Sequence, residues 1–172
     1  MTDKDRFAEL EARLRRLEDE RAIERMIAAY GPLVDAGDAD ATAALWAVDG
    51  GYQVTGWWSM HSRADVAAMV RSVDHQRLLE HGCCHFLGPA VVTVDGDDAV
   101  AVCDSALFVK AEKGFRVYRA GANHFRLRRA GDAWEITERI SRPLDGSRQA
   151  RDLLSAGVAG RAPEATDDDE ED

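Results

Sequence analysis

The stretch FRVYRAGANHFRLRRAGDAWEITERISRPL, residues 115–144, decides the fold because it contains two long β-type runs joined by the turn-forming residues AGD. Two further runs of this kind precede it, HFLGPAVVTV at 85–94 and AVAVCDSALFVK at 99–110, and the links DGDD and AEKG separate the runs. Glycine and aspartate in short links are typical of β-hairpins. Four long strands in series therefore predict an antiparallel meander.

Helical patterns precede these strands. From Phe7 to about Ala36 apolar residues recur at helical spacing, and Gly31–Pro32 could break the helix. The run GYQVTGWW at 51–58 predicts a strand, and SRADVAAMVRSV at 62–73 predicts a helix capped by its first serine, with a polar link after it. Helices followed by a meander indicate an α+β fold.

The predicted architecture is a curved antiparallel sheet that forms a cone, capped by the N-terminal helices around a central cavity. Asp40 is predicted to cap a short helix between the long N-terminal helix and the first strand. A cavity between helices and a curved sheet is a usual place for a small-molecule site.

The chain divides into an N-terminal helical extension at 1–20, a cone domain at 21–146, a C-terminal helix at 147–160 and a disordered acidic tail at 161–172. The last nine residues hold seven acidic residues and no basic one, so the rest of the chain has 25 acidic and 22 basic residues. A body with so little net charge does not support electrostatic steering of nucleic acid.

We predict a cytoplasmic protein without a membrane segment. No run approaches the roughly 20 apolar residues that a membrane helix needs, and the charged start MTDKDRFAEL does not form a secretory signal. Three cysteines, two of them adjacent, argue against a disulfide framework. The open outer face of the sheet and the long N-terminal helix both need covering, which predicts a homo-oligomer.

The segment HGCCHFLGP, residues 81–89, raises the question of a metal site. His81 and His85 could share a zinc ion only on a helix, and Gly82 with the apolar run after it argues against a helix there. No paired ligand motif elsewhere completes a site, so we predict no metal. The nucleotide and nucleophile motifs GxxxxGKS/T, GxGxxG and GxSxG are also absent from the sequence, and we predict no cofactor.

A second set of residues predicts acid–base chemistry. Tyr30 and Asp35 lie near the end of the long helix, and His85 opens the first long strand. An aspartate on one ring nitrogen would fix the histidine tautomer and free the other nitrogen to move a proton, while a tyrosine could polarise a carbonyl. The helical residues are about 140° apart on an ideal helix, so both face the cavity only if the chain turns at the Gly–Pro pair. Each residue also has a purely structural interpretation, in the core or at a helix end.

Strand alternation assigns side chains to the two faces of the sheet. Asn123 shares a face with Phe125 and Leu127, so its amide must find a partner inside or bind substrate. The apolar residues that alternate inward in the last strand are Trp134, Ile136 and Ile140. Strict alternation therefore turns Arg139 outward, unless a bulge shifts the register.

The order of these elements resembles the SnoaL-like branch of the nuclear transport factor 2-like superfamily, over roughly Leu17 to Leu144. Three features carry the resemblance: Tyr-x4-Asp-x-Gly-Asp at the helix end, His-Phe-Leu-Gly before VDGDDA, and the closing Trp-x-Ile-x-x-Arg. The resemblance implies a cone of curved antiparallel sheet capped by helices, and a dimer or trimer.

The same resemblance implies site residues. Scytalone dehydratase and bile-acid dehydratase members of the superfamily use a tyrosine, an aspartate and a histidine in a hydrophobic pocket, and Tyr30, Asp35 and His85 look like the matching positions. Asn123 is similar to an amide that lines the scytalone dehydratase pocket.

We therefore predict a cofactor-independent dehydratase or isomerase that acts on a hydrophobic cyclic small molecule such as a steroid or polyketide. His85 would move the proton, Asp35 would orient it, and Tyr30 would polarise the oxygen. The predicted substrate-binding residues are Tyr52, Trp57, Trp58, Phe86, Asn123 and Phe125.

Two alternatives stay open. The fold also hosts non-catalytic binding or assembly modules. An epoxide hydrolase or cyclase would need a carboxylate–arginine–carboxylate set, for which Asp35, Asp104 and Arg139 would have to meet, against strand parity.

Overall fold

The structure of this chain is a computed structural model that describes residues 2–163. Within these residues, helices pack around one sheet. The helices are α1 Asp3–Asp35, α2 Ala39–Ala43, α3 Arg63–Arg71, α4 Val73–His81 and α5 Arg148–Val158. The acidic segment 164–172, predicted to be disordered, lies outside the described residues.

The sheet has seven strands. They are β1 Trp46–Val54, β2 Trp58–Met60, β3 Cys83–Leu87, β4 Val91–Asp95, β5 Asp98–Lys110, β6 Phe115–Ala130 and β7 Ala133–Pro143. The order is β2-β1-β7-β6-β5-β3, with β4 also paired to β5. The α+β prediction of a curved, helix-capped sheet is confirmed, although β1 runs parallel to β7.

The main core lies between α1, α3 and the inner face of the sheet. Ile23, Ile27 and Val34 of α1 are almost fully buried, as are Val66 of α3 and Trp46 of β1. Burial of each such apolar side chain stabilises the fold by about 1.5–3 kcal/mol. This core fixes α1 against the sheet and so positions everything at the end of that helix.

The outer face of the sheet is partly covered by α5. Leu153 and Ala150 of that helix pack against Ala122 and Ile140 in a second apolar cluster. The helix approaches so closely that a Cβ on Gly157 would collide with Val102. The predicted open outer face is therefore smaller than the sequence indicated.

A bulge in β7 changes which residues face inward. The register pairs Arg126 with Glu138 but Leu127 with Ile136, so Thr137 is an extra residue. Beyond the bulge the alternation inverts. Arg139 consequently faces the interior, which is the outcome expected if a bulge shifts the register and not the outward orientation that strict alternation predicts.

Ile140 moves to the opposite face for the same reason. It was predicted to face inward with Trp134 and Ile136, but it packs under α5 on the outer face. The same bulge is the cause.

Three local predictions also need correction. The helix α1 continues through Pro32 to Asp35 without a break, since the proline lies in the last turn and its carbonyl still accepts the N–H of Ala36 at 3.0 Å. The N-cap of α2 is Asp38, whose carboxylate accepts the N–H of Ala41, and Asp40 lies in the first turn. The predicted strand 85–94 is interrupted between β3 and β4.

The segment predicted as a polar link forms helix α4. Ser72 is its N-cap and accepts the N–H of His75 at 3.2 Å. Ser62 caps α3, as predicted.

The first half of α1 stands apart from the rest of the fold. Residues 3–18 are all exposed, and Asp19 is the first buried residue of the helix. Arg129 donates two hydrogen bonds to the Asp19 carboxylate, at 2.9 and 2.7 Å, and the indole of Trp134 donates a third at 3.0 Å. No helix within residues 2–163 is long and apolar enough to cross a membrane.

Candidate active site

A cavity of about 600 Å³ lies between the helices and the inner face of the sheet. Four of the predicted substrate-binding residues, Tyr52, Trp57, Trp58 and Phe86, line it. The two tryptophans are 58% and 44% exposed, so they form the mouth, whereas Tyr52 is buried. Apolar walls with a few polar groups are typical of small-molecule sites.

Asp35 and His85 form a hydrogen-bonded pair at one wall of the cavity. The His85 ring nitrogen Nδ1 lies 2.6 Å from Asp35 Oδ1, and the backbone N–H of His85 donates to Oδ2 at 2.8 Å. His85 lines the cavity, whereas Asp35 does not. The aspartate therefore supports the histidine from behind.

Gly31 allows this pair to form. A Cβ at this position would collide with the backbone carbonyl of His85, so the helix α1 touches the start of β3 where Gly31 lies. The close approach places Asp35, four residues further on, over the histidine. The Gly–Pro pair therefore allows close contact between α1 and β3 and does not break the helix.

The pairing keeps Asp35 ionised and determines which ring nitrogen of His85 donates to it. Burial raises the pKa of the Asp35 carboxyl, but hydrogen bonds from the ring and backbone of His85 lower it more, so the net pKa is below 3.8. An ionised carboxylate only accepts hydrogen bonds, so Nδ1 carries the proton. This leaves the lone pair on Nε2 as the basic atom of the ring.

Cys83 also contacts this pair. Its thiol donates to Asp35 Oδ1 at 3.7 Å, and burial together with the nearby carboxylate raises the pKa of the thiol to about 11. Asp35, Cys83 and His85 have donor atoms within 4.8 Å of one another, a set that could hold a metal ion. Direct contact between the aspartate and the imidazole, together with a protonated thiol, fits a hydrogen-bonded cluster better. That no metal binds stays a prediction.

Tyr30 lines the same cavity from α1. It is 5% exposed and packs edge-on against Trp46 and Tyr52, with ring centroids 5.9 and 6.4 Å away. Burial raises the pKa of its phenol above the ordinary value, so the hydroxyl stays protonated and can donate a hydrogen bond. Tyr30 and His85 therefore face one space, while Asp35 reaches the histidine from the helix end.

Arg139 lines the cavity, although strict strand alternation predicted that it faces outward. It is 3% exposed, and its guanidinium carbon lies 4.2 Å from the ring centroid of Tyr30 and 4.4 Å from that of Tyr52. Only the bulge at Thr137 brings it there, and no feature of the sequence announces that bulge.

Asn123 and Phe125 do not line the cavity, although both were predicted to contact substrate. The Asn123 side-chain oxygen accepts from Arg139 Nη2 at 2.8 Å, and its amide donates to Ser105 at 2.8 Å. Phe125 packs under the guanidinium, 5.1 Å from it. Both residues hold Arg139 from behind.

His75 is a cavity residue that the sequence reasoning missed. Its ring centroid lies 5.6 Å from that of His85, and its Nε2 has no hydrogen-bond partner among the described residues. Burial, followed by the neighbouring His85, lowers the pKa of His75, so the ring is neutral near pH 7. The serine at position 72 followed by a short helical pattern is the signal that could have located it.

The set proposed for an epoxide hydrolase does not assemble. Asp104 is exposed on the outer face, Arg139 faces the cavity, and Asp35 lies behind His85. These three residues do not converge on one point.

Comparison with known proteins agrees with this geometry. The model of the SnoaL-like domain matches residues 15–140, well over half of the chain. The chain belongs to the SnoaL-like family. The chain has the fold named nuclear transport factor 2-like or cystatin-like, and the comparisons support a fold that binds small molecules.

Solved structures give the same assignment. An NTF2-like protein with a cystatin-like fold from Novosphingobium aromaticivorans is 46% identical, covers 84% of this chain and 94% of its own, and superimposes with a TM-score of 0.82.

Two more distant structures share the fold alone. A protein of the same organism, provisionally named a scytalone dehydratase, is 17% identical over 75% of this chain and 86% of its own, with a TM-score of 0.63. ActVI-ORFA from Streptomyces coelicolor is 18% identical over 74% and 98%, also with 0.63. Among curated proteins, none matches this chain.

Proposed function

We propose that this SnoaL-like protein is an acid–base enzyme that dehydrates or isomerises an apolar cyclic small molecule next to a carbonyl group. The observation that carries the proposal is the Asp35–His85 pair, with the imidazole directed into an apolar cavity that Tyr30 also lines. One distant structural relative is provisionally named a scytalone dehydratase, and that name agrees with this class of reaction.

His85 acts as the general base. Its Nε2 removes a proton from the carbon next to the carbonyl, and the electron pair of that C–H bond forms the enolate. The ionised Asp35 stabilises the imidazolium that results and keeps the ring oriented. A positioned base of this kind contributes about 10²–10⁴-fold to the rate.

Tyr30 stabilises the enolate oxygen. Its protonated hydroxyl lies in a buried aromatic environment, where a hydrogen bond to a developing negative charge is stronger than in water. In a dehydration, the enolate then expels the β-hydroxyl group, which leaves as water with the proton that the His85 imidazolium returns. In an isomerisation, that proton returns to another carbon.

The proposal is tested by the mass change of candidate substrates. Purified protein is incubated with a panel of polycyclic β-hydroxy ketones and enones, and loss of water or a shifted product is followed by chromatography and mass spectrometry. We expect turnover of at least one compound, with a drop of about 100-fold or more in His85→Gln and a smaller drop in Asp35→Asn.

The matched control is His81→Gln. His81 is exposed at the end of α4 and outside the cavity, so this variant removes a histidine without touching the site. If His85→Gln and Asp35→Asn both turn over the identified substrate at the wild-type rate, the assignment is wrong. A compound that copurifies and stays chemically unchanged would instead support a binding module of the same fold.

We also propose that the protein self-associates through the exposed half of α1. Phe7, Leu10, Leu14 and Leu17 are 56–67% exposed and follow the three–four spacing of a coiled-coil seam. A second copy of the same helix is the partner that such a self-complementary stripe fits best.

A further inference from the structure

The side chains that line the cavity carry more positive charge than proton transfer by His85 requires. Four cationic side chains face it, Lys110, Arg116, Arg119 and Arg139. The only carboxylate that lines it among the described residues is Asp74, whose side chain is 85% exposed at the rim, 3.9 Å from Arg77. An apolar cavity with this excess of positive charge favours an anionic ligand.

Arg139 is the most deeply placed of these cations. Its Nη1 is buried without a hydrogen-bond partner, and no ion pair links it to an acidic side chain within residues 2–163. Its side-chain hydrogen-bond partners are neutral groups, the amide oxygen of Asn123 and the phenol of Tyr30. A buried charge without a counter-ion is costly, so a ligand that supplies one gains binding energy.

Arg119 provides a second guanidinium that faces the same cavity. It is half-buried, lines the cavity and donates to the Ser141 hydroxyl at 3.4 Å, two residues along β7 from Arg139. No described acidic group pairs with it either. Burial and the neighbouring Arg139 lower the pKa of Arg119, as expected of two cations that share one space.

The surroundings of Arg139 select the shape of the anion. The rings of Tyr30, Tyr52 and Phe125 lie around it, with centroids 4.2–5.1 Å from its guanidinium carbon. These rings leave an acceptor little room beside the guanidinium, which suits a compact planar carboxylate better than a bulkier tetrahedral phosphate.

The sheet register sets this anion site apart from the base. His85 pairs with Leu107, and Leu107 pairs with Arg119 in the next strand. Two strand spacings separate the α-carbons of His85 and Arg119, about 10 Å, and both side chains face the cavity. A compound one or two rings long can reach both at once.

We infer that the substrate carries a carboxylate on an apolar ring system, and that Arg119 and Arg139 bind this carboxylate while His85 faces the reacting carbon. The inference rests on the proposed function for its reaction but concerns a different part of the same cavity. Arg119 and Arg139 are then the residues that determine the substrate specificity.

The test compares probes of one shape and different charge. Binding of naphthoate, naphthamide and naphthyl phosphate to the full-length protein is measured by isothermal titration calorimetry. We expect naphthoate to bind roughly 10- to 100-fold more tightly than the uncharged amide, as is typical of a hydrogen bond to a charged group. It should also bind more tightly than the phosphate.

The variants assign this preference to the cavity. Arg119→Gln should reduce the preference for naphthoate by about tenfold or more. The control Arg126→Gln should leave it unchanged, because Arg126 lies on the same strand but is exposed on the outer face. His85→Gln should also keep the preference, so failure of the proposed chemistry and failure of this inference are distinguishable.

Four results would overturn the inference. They are the absence of saturable naphthoate binding, equal or tighter binding of the amide, tighter binding of naphthyl phosphate, and a preference that persists in a folded Arg119→Gln variant. Circular dichroism establishes that the variant is folded.

Discussion

A single carboxylate, Asp35, connects the stability of this protein to its proposed chemistry. It accepts two hydrogen bonds from His85 and one from the thiol of Cys83, all from the first residues of β3. Its loss would leave the imidazole without the group that fixes its tautomer. The same change would remove a tie between the end of α1 and the sheet.

Asp35→Asn is expected to lower the free energy of unfolding at neutral pH by about 1–3 kcal/mol, because hydrogen bonds from His85 lose a charged acceptor. The pKa of Asp35 is depressed in the folded protein. Its contribution is therefore present above the unfolded-state pKa of about 3.8 and is lost as the pH falls through the folded-state value. Urea denaturation at several pH values measures this.

The difference between wild type and Asp35→Asn should be constant near neutral pH and shrink below about pH 4. Asp104→Asn is a suitable control, since Asp104 is exposed on the outer face and should change little at any pH. A difference that grows on acidification would contradict the assignment of Asp35 as an ionised acceptor.

At the scale of elements, α1 performs two tasks along its length. Its second half is buried against the sheet and carries Tyr30 and Asp35, whereas residues 3–18 are exposed. Asp19, held by Arg129 and Trp134, marks the change. The exposed half is longer than is needed to cover the sheet. We expect its apolar stripe to pack against a second copy of the chain.

We expect the full-length protein to form a dimer or trimer in solution, and the double variant Leu10→Glu, Leu14→Glu to be monomeric at the same concentration. Charges at two seam positions would remain buried and unpaired in the assembly. Sedimentation velocity distinguishes the two forms.

The control for this test is the pair Ala8→Glu and Arg15→Glu, which adds charge to the same helix away from the stripe. It should leave the assembly intact. A wild-type monomer, or a seam variant that still assembles, would show that another surface or none is used.

At the scale of the whole molecule, long strand and helix patterns were sufficient to predict the architecture. The meander in 115–144 and the amphipathic pattern before it place helices on one face of a curved sheet. Asp35 and His85 are hydrogen-bonded, but the contact depends on the close approach of α1 to β3 at Gly31 and not on a turn at the Gly–Pro pair. Alternation also correctly turned Asn123 inward, although its partner is Arg139 and not a substrate.

Local irregularities account for what the sequence did not reveal. One extra residue, Thr137, inverts the parity of β7 and moves Arg139 into the cavity and Ile140 under α5. A bulge depends on tertiary pairing, so strand alternation alone cannot locate it. His75 was missed for a different reason: its helix is short, and its sequence is mostly polar.

The central claim is that His85 removes a proton from a carbon next to a carbonyl group. The most direct measurement is deuterium incorporation at that carbon, followed by NMR, when a bicyclic β-hydroxy ketone is incubated with the protein in D₂O. We predict exchange catalysed by the wild type and by His81→Gln, and exchange reduced about 100-fold or more in His85→Gln. Exchange at the wild-type rate in a folded His85→Gln variant would contradict the account.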